Sequence, residues 1–341
     1  MKILLFPNGP EGWQSGVEDG FNHLLSTGRI ESVRLFYLGD QVAKHGASEA
    51  LAHALQIARE DPPDLIVLFH VGNLPIEDSF MTELRQLSSK PTIAYDEGDM
   101  YGSWSKPVTA AMKAVIRAAD VVSVRGLGRF RRELSRYNRK IIYTPHHADI
   151  ARFDSEPYVL RDRDIPVVLI GNRIKPGLRG RMPGAAGRES FVKFMGREFP
   201  DEFVLHGNGW NGFVGNRGPV DFQKQMEFYR RSWVTVAYEH YPEIPYYFSN
   251  RLPIALLAGS LYVCHRHGGY DEIFKGLDFI FSFDTAQEAA DIIRYLRSLS
   301  ADETYQRGQR ARNFALKHYT PQVVWANFVN NILIATGRDE I

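Results

Sequence analysis

The sequence predicts an α/β protein of two domains, each built on a parallel sheet. Three observations support this fold class. Short apolar runs bounded by turn residues recur along the chain, amphipathic stretches with helical spacing separate them, and this alternation stops and restarts near the middle. Alternating strands and helices give a parallel sheet with helices on both faces. We therefore expect two Rossmann-like domains facing across a cleft, and 341 residues suffice for two ordinary cores.

The first half contains six predicted strands, which are short apolar runs typical of buried parallel sheets. They are Ile3 to Phe6, Val33 to Leu38, Leu65 to Phe69, Thr92 to Tyr95, Val121 to Val124 and Ile141 to Tyr143. Helical spacing predicts helices over Ala47 to Arg59 and Val108 to Ala118. Prolines and charges interrupt any period from Pro145 to Pro166, so we place the linker there.

The second half repeats this pattern. Its predicted strands are Val167 to Ile170, Phe203 to Leu205, Trp233 to Ala237, Leu261 to Cys264 and Phe279 to Phe281, with helices from near Glu189, Phe222, Leu252 and Ala286. Thr285 with Glu288 and Ser300 with Glu303 fit capping boxes, and Thr320 with Pro321 starts a last helix. The predicted domains are residues 1–150 and 151–320, followed by a C-terminal helix, 321–341, that can pack back toward the first domain.

Composition excludes several classes of function. Lys and Arg number 41 against 40 Asp and Glu, so the whole molecule has no field that would draw it to nucleic acid or an anionic membrane, and any basic site must be local. Cys264 is the only cysteine, which excludes intrachain disulfides and favours the cytoplasm. The N-terminal apolar run is too short for a signal peptide, and no apolar stretch could cross a bilayer, which leaves peripheral membrane contact open.

The loops after the strands are the places to look for function, because ligands of open α/β sheets bind at the carboxyl ends of the strands. The first such loop is rich in glycine and contains Gly12, Trp13 and Gln14. It lacks the glycine spacing of a dinucleotide site and the lysine of a phosphate-binding loop. Because an indole can stack on a sugar ring, we assign these three residues to the binding of an acceptor, meaning a substrate whose hydroxyl group reacts. A turn that merely starts a helix explains them about equally well.

Carboxylates and a histidine follow two other strands of the first domain. Three carboxylates, Asp96, Glu97 and Asp99, come at the end of the fourth strand, where one of them could take the proton of an acceptor hydroxyl, and we assign this role to Asp96 or Asp99. Acidic turns are also common, so an ordinary turn stays an alternative. His70 follows the third strand, and we assign it to the acceptor side. We predict no metal site, because the adjacent His146 and His147 lack ligand spacing.

A local basic, glycine-rich stretch opens the second domain. Gly171, Asn172, Arg173 and Lys175 follow its first strand, and Arg188 comes soon after. Backbone amides and guanidinium groups together bind diphosphates, so we predict a diphosphate site here, with a solvated loop as the alternative. The other residues predicted to contact the same ligand, which the resemblance described below implies to be a donor, lie in later strand-end loops: Gly207, Gly209, Trp210, Tyr238, Asn250, Arg251, His267, Gly268, Gly269 and Tyr270.

Several segments, taken in order, resemble one family over nearly the whole chain. They are Tyr143 to Asp149 with Phe153, Leu205 to Trp210, Asn250 to Gly259, Gly268 to Glu272 and Lys317 to Thr320. Together they resemble the group 1 glycosyltransferases of the GT-B fold, most closely the branch typified by the spore maturation protein CgeB. The resemblance implies a sugar-nucleotide donor held mainly by the second domain, an acceptor held mainly by the first, and domain closure.

The sequence departs from this family at two positions. Many relatives have a glutamate that binds ribose hydroxyls where this chain has Ile254, and another glutamate where it has Tyr246. The mode of ribose binding and retention of configuration are therefore not carried over.

The function predicted from the sequence is transfer of a sugar from a nucleoside-diphosphate sugar to an acceptor hydroxyl. Basic residues, namely Arg173, Lys175, Arg188 and Arg251, stabilise the leaving diphosphate, so no metal or other cofactor is required. Two alternatives stay open: a sugar-nucleotide epimerase or hydrolase on the same fold, and a non-catalytic protein that binds sugars or nucleotides.

Overall fold

The computed structural model describes residues 1–72, 74–101, 106–153, 163–174 and 182–341. The chain divides into two compact units. The first consists of Met1–Pro145 together with Pro321–Ile341, and the second is His146–Thr320.

The first unit is a six-stranded parallel sheet in the order β2-β1-β3-β4-β5-β6. Its strands are β1 (Lys2–Phe6), β2 (Ser32–Leu35), β3 (Leu65–Phe69), β4 (Thr92–Glu97), β5 (Val121–Val124) and β6 (Ile141–Tyr143). The helices between them are α1 (Ser15–Ser26), α2 (Leu38–His45), α3 (Ala47–Glu60), α4 (Asp78–Arg85), α5 (Ala110–Ala118) and α6 (Arg129–Leu134). Every residue of β3 is buried, as its uninterrupted apolar run predicts.

One predicted strand of this unit is too long. The expectation of a strand over Val33 to Leu38 is wrong at its end, because β2 stops at Leu35 and Leu38 is already the first residue of α2. Phe36 and Leu38 are both buried. The apolar run therefore continues because the start of a helix packs into the core, which periodicity alone does not distinguish from a strand.

The second unit is a five-stranded parallel sheet in the order β11-β10-β9-β7-β8. Its elements are α7 (Ile150–Phe153), β7 (Ile165–Ile170), α8 (Ala185–Glu198), β8 (Phe203–His206), a 3₁₀ turn (Phe222–Lys224), α9 (Gln225–Arg231), β9 (Ser232–Ala237), α10 (Arg251–Leu257), β10 (Leu261–His265), α11 (Tyr270–Phe274), β11 (Ile280–Phe283), α12 (Ala286–Arg297) and α13 (Ala301–His318). The predicted capping box is confirmed at Thr285 and Glu288, where both reciprocal bonds form. At Ser300 only the bond from the Glu303 amide is present.

The last helix, α14 (Pro321–Thr336), belongs to the first unit and packs along α1. Gly20 of α1 makes this approach close, because a Cβ there would lie 2.3 Å from Cδ1 of Trp325. Within the described residues, no helix is both long and apolar enough to span a membrane.

The two sheets share one connection pattern. In each, the second strand lies on one side of the first strand and the third strand lies on the other, so the strand order reverses between the first and third strands. Loops leaving the carboxyl ends of these two strands diverge, and the crevice between such loops is the usual ligand site of open α/β sheets. The sites to inspect are therefore the ends of β1 and β3 in the first unit and of β7 and β9 in the second.

Candidate functional site

An arginine links the two strand ends at the reversal point of the second unit. Arg188 on α8 donates from Nε to the carbonyl oxygen of Tyr238 at 2.6 Å and from Nη1 to the carbonyl oxygen of Asn172 at 3.2 Å. Asn172 follows β7 and Tyr238 follows β9. The side chain of Arg188 is only 3% exposed. A buried guanidinium therefore lies where this fold binds ligands.

A second guanidinium reaches the same place from the first residue of α10, Arg251. A Cβ on Gly171 would lie 3.5 Å from Nη1 of Arg188 and 3.6 Å from Cζ of Arg251, so both groups lie against this glycine. Arg251 Nη1 donates to Ser249 Oγ at 3.0 Å and lies 3.8 Å from a carboxylate oxygen of Glu239. Among the described residues, Nη2 of Arg188 and both Nε and Nη2 of Arg251 have no acceptor, which leaves them available to a ligand.

The charges at this point do not balance. Glu239, 5% exposed, is the one carboxylate that the described part of the chain places beside the two guanidiniums. Burial, with the neighbouring Arg251, lowers the pKa of Arg188 to about 10, so the group stays protonated at neutral pH. Burial also acts to lower the pKa of Arg251, but Glu239 together with the neighbouring tyrosines raises it overall. Because an uncompensated charge is costly in the interior, this site favours an anion.

A neutral histidine completes the arginine pair. Burial, followed by repulsion from Arg188 and Arg251, lowers the pKa of His240 to about 3. The imidazole is therefore uncharged at neutral pH, and its Nε2 accepts a hydrogen bond from Arg188 at 2.7 Å. His240 thus orients Arg188 without adding a third positive charge.

The loop after β8 brings glycine backbone to the same strand end. Gly207 has φ +143°, and a Cβ there would lie 2.3 Å from the carbonyl oxygen of Gly171. The amide of Asn208 donates to Oδ1 of Asn172 at 2.8 Å. Trp210 is completely buried, and its indole N–H donates to the Gly171 carbonyl at 2.6 Å. The structure thus places Trp210 as a support for the glycine backbone that carries the arginine pair.

Arg173 lies in the same region but has a carboxylate partner. Its Nε and Nη2 donate to Glu189 at 3.0 and 2.8 Å. Gly209, with φ +84°, lies against the Arg173 carbonyl oxygen, 3.1 Å from where a Cβ would be. Lys175, also predicted to bind the donor, lies outside the described residues. The positive charge of Arg173 is therefore balanced by Glu189 to a greater extent than the charges of Arg188 and Arg251 are balanced by their neighbours.

Two other predicted donor residues border the arginine pair. The hydroxyl of Tyr238 packs on Gly187, where a Cβ would lie 2.4 Å from it, so the start of α8 lies directly against this side chain. Asn250 immediately precedes α10, and its side chain makes no capping bond to the helix.

The remaining predicted donor residues line a separate cavity at the end of β10, of about 470 Å³. Gly269 is left-handed, with φ +81°, and a Cβ there would lie 2.8 Å from the ring of Tyr246. His267 is buried, and burial lowers its pKa. Gly268 and Tyr270 complete this wall.

The glycine-rich loop after β1 presents an exposed aromatic ring on the first unit. Trp13 is 67% exposed, and its ring packs on Gly9, where a Cβ would lie 2.8 Å from Cδ1. Gln14 accepts a hydrogen bond from the Asn8 amide at 2.9 Å. Gly12, with φ +74°, has open space where its side chain would be. The predicted acceptor loop is thus held by its own contacts, with Trp13 open to solvent.

A histidine and a buried carboxylate form a pair at the end of β3. Nδ1 of His70 lies 2.7 Å from Glu97, which is completely buried, and the Tyr95 hydroxyl donates to the other oxygen of that carboxylate. Burial acts to lower the pKa of His70, but Glu97 outweighs it and raises the pKa. His70 has φ +42°, and its ring lies against Gly98, where a Cβ would be 2.5 Å away. Such backbone strain clusters at functional sites.

The two carboxylates predicted as bases have different surroundings. Asp96 is buried, and its two oxygens accept from Arg125 at 2.8 and 2.6 Å, with Ser123 Oγ donating at 2.6 Å. Asp99 is exposed and pairs with Lys106 at 2.7 Å. The assignment of a base to either residue stays a prediction. The described residues contain no group of three or more His, Cys, Asp or Glu placed to hold a metal ion.

Sequence reasoning counted Glu97 among the carboxylates after β4, but it gave no role to Glu97, Glu239 or His240. Each lies at a strand end or within three residues of one, which is the available signal. Their roles depend on which partner they meet in the fold, and strand position does not reveal that.

Comparison with known proteins places this geometry in context. Residues 188–330, which include both arginines of the pair, match the model of the Glycosyl transferase-like family. No curated protein matches the chain. The chain is similar to an E. coli trehalose-6-phosphate protein bound with UDP-2-fluoro glucose, at 9% identity, 97% and 99% coverage of the two chains and a TM-score of 0.60. Sucrose-phosphate synthase from Thermosynechococcus elongatus (12% identity, 98% and 100%, TM-score 0.58) and a glycosyltransferase from Rickettsia africae (13%, 98% and 98%, 0.60) are similar too.

The chain is a glycosyltransferase of the GT-B fold. The solved structures carry the fold, which confirms the predicted pair of parallel α/β sheets. The family match indicates the activity class, and it lies mainly on the second unit, which contains the arginine pair, with its last ten residues in the helix that belongs to the first unit.

Proposed function

We propose that this glycosyltransferase binds the diphosphate of a nucleotide-sugar donor against Gly171, between Arg188 and Arg251. The observation that carries the proposal is the charge imbalance there, with two guanidiniums facing one buried carboxylate. A diphosphate supplies the missing negative charge and matches the planar donor groups of arginine.

The arginine pair would act on the leaving group. When the bond between the sugar carbon and the phosphate oxygen breaks, the electron pair goes to the diphosphate, and preorganised cations stabilise that charge. Arg188 is well suited because Tyr238, Asn172 and His240 already fix its guanidinium. We therefore propose that Arg188 and Arg251 supply the charge stabilisation that a metal ion supplies elsewhere.

On the first unit, we propose that the loop with Gly12, Trp13 and Gln14 contacts the acceptor, together with His70. Among the predicted bases, Asp96 is already engaged by Arg125, and Asp99 is exposed and paired with Lys106. The His70–Glu97 pair has the better geometry for a base. Nδ1 donates to Glu97, and Nε2 of the neutral imidazole accepts a hydrogen bond from the Gly98 amide at 3.2 Å. An acceptor hydroxyl would replace that amide as the partner of Nε2 and give its proton to this nitrogen.

The E. coli structure with bound UDP-2-fluoro glucose supports a uridine nucleotide as the first donor to try. The CgeB-like branch and a cytoplasmic location stay proposals, the latter supported by a single cysteine that is buried and unpaired.

Thermal shift with free nucleotides tests the donor site, because a ligand that binds only the folded state must raise its stability. We expect UDP or GDP to raise the melting temperature and NAD to leave it unchanged. Transfer should continue in EDTA. Stabilisation by NAD alone would contradict the donor site, and turnover that stops in EDTA and returns with magnesium would contradict the role of the arginine pair.

A further inference from the structure

A strongly basic segment lies outside both sites. Residues 129–140 contain six cations and one acid, Glu133, a net charge of +5 in a chain whose total is +1. The rest of the chain therefore carries −4. We call these six residues the basic strip: Arg129, Arg131, Arg132, Arg136, Arg139 and Lys140.

The charges of the basic strip are largely unneutralised. Arg136 pairs with Glu133 at 2.7 Å, and the other five cations have no carboxylate partner within the part of the chain that the structure describes. Several exposed arginines of the same unit do have a carboxylate partner: Arg59 pairs with Glu83, Arg85 with Asp120 and Arg117 with Asp78. Apart from the partly buried Arg129, the cations of the strip are exposed. The strip is thus a local positive field on a molecule with almost no net charge.

The strip is also held firmly along one edge of the sheet. Phe130 and Leu134 of α6 are buried, which fixes the helix that carries the first three cations. The Asn138 side chain donates to the carbonyl oxygens of Ile116 and Ala119 at 3.0 and 2.6 Å and accepts from the Lys140 amide at 2.9 Å. The strip lies in the connection between β5 and the outer strand β6, and Lys140 directly precedes that strand.

We propose that the basic strip docks this protein on an anionic lipid surface. Anionic headgroups require cations near the membrane surface and no particular arrangement of them, which matches charges spread along an edge. Single-stranded nucleic acid, by contrast, is bound with aromatic rings on which bases stack. The one aromatic ring between the exposed cations, Tyr137, is only partly exposed and has Lys113 6.0 Å from its centroid.

The attachment is electrostatic. None of the large apolar side chains that the described residues expose lies in the strip. Docking without apolar insertion is reversible and is weakened when salt screens the charges. This property separates the proposal from anchoring by an amphipathic helix.

Vesicle co-sedimentation of the full chain tests the proposal. We expect binding to phosphatidylcholine vesicles that contain phosphatidylglycerol, release at high salt, and no binding to pure phosphatidylcholine. Each cation near an anionic surface contributes roughly fivefold to binding, so reversing Arg131 and Arg132 together (R131E/R132E) should weaken it by about 30-fold or more. The matched control is R29E/R34E, which makes the same charge change at exposed positions beside and within β2, the opposite edge strand.

Three outcomes would overturn the proposal. They are equal binding by the two double variants, binding to pure phosphatidylcholine, and, at physiological salt, binding to heparin or RNA without binding to anionic vesicles. Thermal melting of both variants shows that each remains folded. Loss of donor binding is not expected in either variant, because neither change touches the arginine pair.

Discussion

The two units share a strand order but place opposite charges at the same point. A histidine follows the third strand of each sheet, His70 after β3 and His240 after β9. His70 meets the buried carboxylate of Glu97, which raises its pKa, whereas burial and the guanidiniums of Arg188 and Arg251 lower the pKa of His240 to about 3. The same strand order thus places one histidine, His70, next to a carboxylate and the other, His240, next to two cations.

This difference shows what the fold decides and what it leaves open. The reversal of strand order fixes where loops diverge, and it does so in both units. The sign of the buried charge beside each histidine decides which chemistry that place can support, because a nearby carboxylate favours a proton acceptor and nearby cations favour a bound anion. Four changes test this contrast, from the largest expected effect to the smallest.

The largest effect should come from His70. If its Nε2 takes the proton of the acceptor, His70→Ala should lower turnover by about 10²–10⁴-fold, the usual contribution of positioned proton transfer, and leave the dissociation constant of the free nucleotide unchanged. Glu97→Gln should shift the pH profile of turnover, because the carboxylate sets the pKa of His70. Asp99→Asn is the control, since Asp99 is exposed. Normal turnover in His70→Ala, or a large loss of turnover in Asp99→Asn, would mean that an aspartate and not His70 is the base.

Asp96 should affect stability more than chemistry. Removing one partner of a buried ion pair typically costs about 3–5 kcal/mol, because the other charge stays buried, and Asp96→Asn leaves Arg125 in that position. Urea unfolding measures this cost, and turnover is measured on the folded fraction at low temperature. A variant of normal stability with turnover reduced 100-fold or more would make Asp96 the base.

Arg251 should affect donor binding by a smaller amount. Loss of a charge-assisted hydrogen bond predicts that Arg251→Ala weakens UDP or GDP binding by about 1.5–3 kcal/mol, measured by calorimetry. Arg173→Ala is a matched control in the same unit and should lose less, because Glu189 already pairs with Arg173. Arg34→Ala, at an exposed position of β2, should lose nothing. Equal losses for Arg251 and Arg173 would mean that unbalanced charge does not identify the diphosphate site.

Much of the fold could be predicted from the sequence because buried parallel strands carry uninterrupted apolar runs. The strand from Leu65 to Phe69 is one of those confirmed at both ends. The helix expected from near Glu189 begins earlier, at Ala185, within a stretch that looks like a glycine-rich loop. Glycine is required at positions 184 and 187 because the chain after β9 packs directly against them, and a Cβ on either residue would lie within 2.4 Å of it. Composition shows small residues but not what packs against them.

The sites could be predicted only in part. The basic, glycine-rich stretch that opens the second domain identified Arg188, and its position at the start of a helix identified Arg251. The structure brings their guanidiniums together against Gly171. Sequence reasoning gave no role to Glu97 or Glu239, because a carboxylate in a polar loop has the same pattern whether it is buried against a cation or solvated. Pairing is a tertiary property, and it decides which charges remain available to a ligand.

The smallest effect concerns acid stability. The pKa of His240 is lowered in the folded state, to about 3, so between that value and the unfolded pKa near 6.5 the unfolded chain binds a proton that the folded chain does not. The stability contributed by neutral His240 is therefore present above pH 6.5 and is lost as the pH falls, by at most about 1 kcal/mol between pH 6.5 and 5.5. The effect of His70 has the opposite sign, because its raised pKa adds stability at low pH that is lost as the pH rises through the folded value.

Urea unfolding at pH 6.5 and 5.5 measures this contrast. The loss of unfolding free energy on acidification should be smaller in His240→Asn than in the wild type and larger in His70→Asn. Parallel behaviour of the two variants would mean that the histidines share one environment, and the contrast between the units would fail.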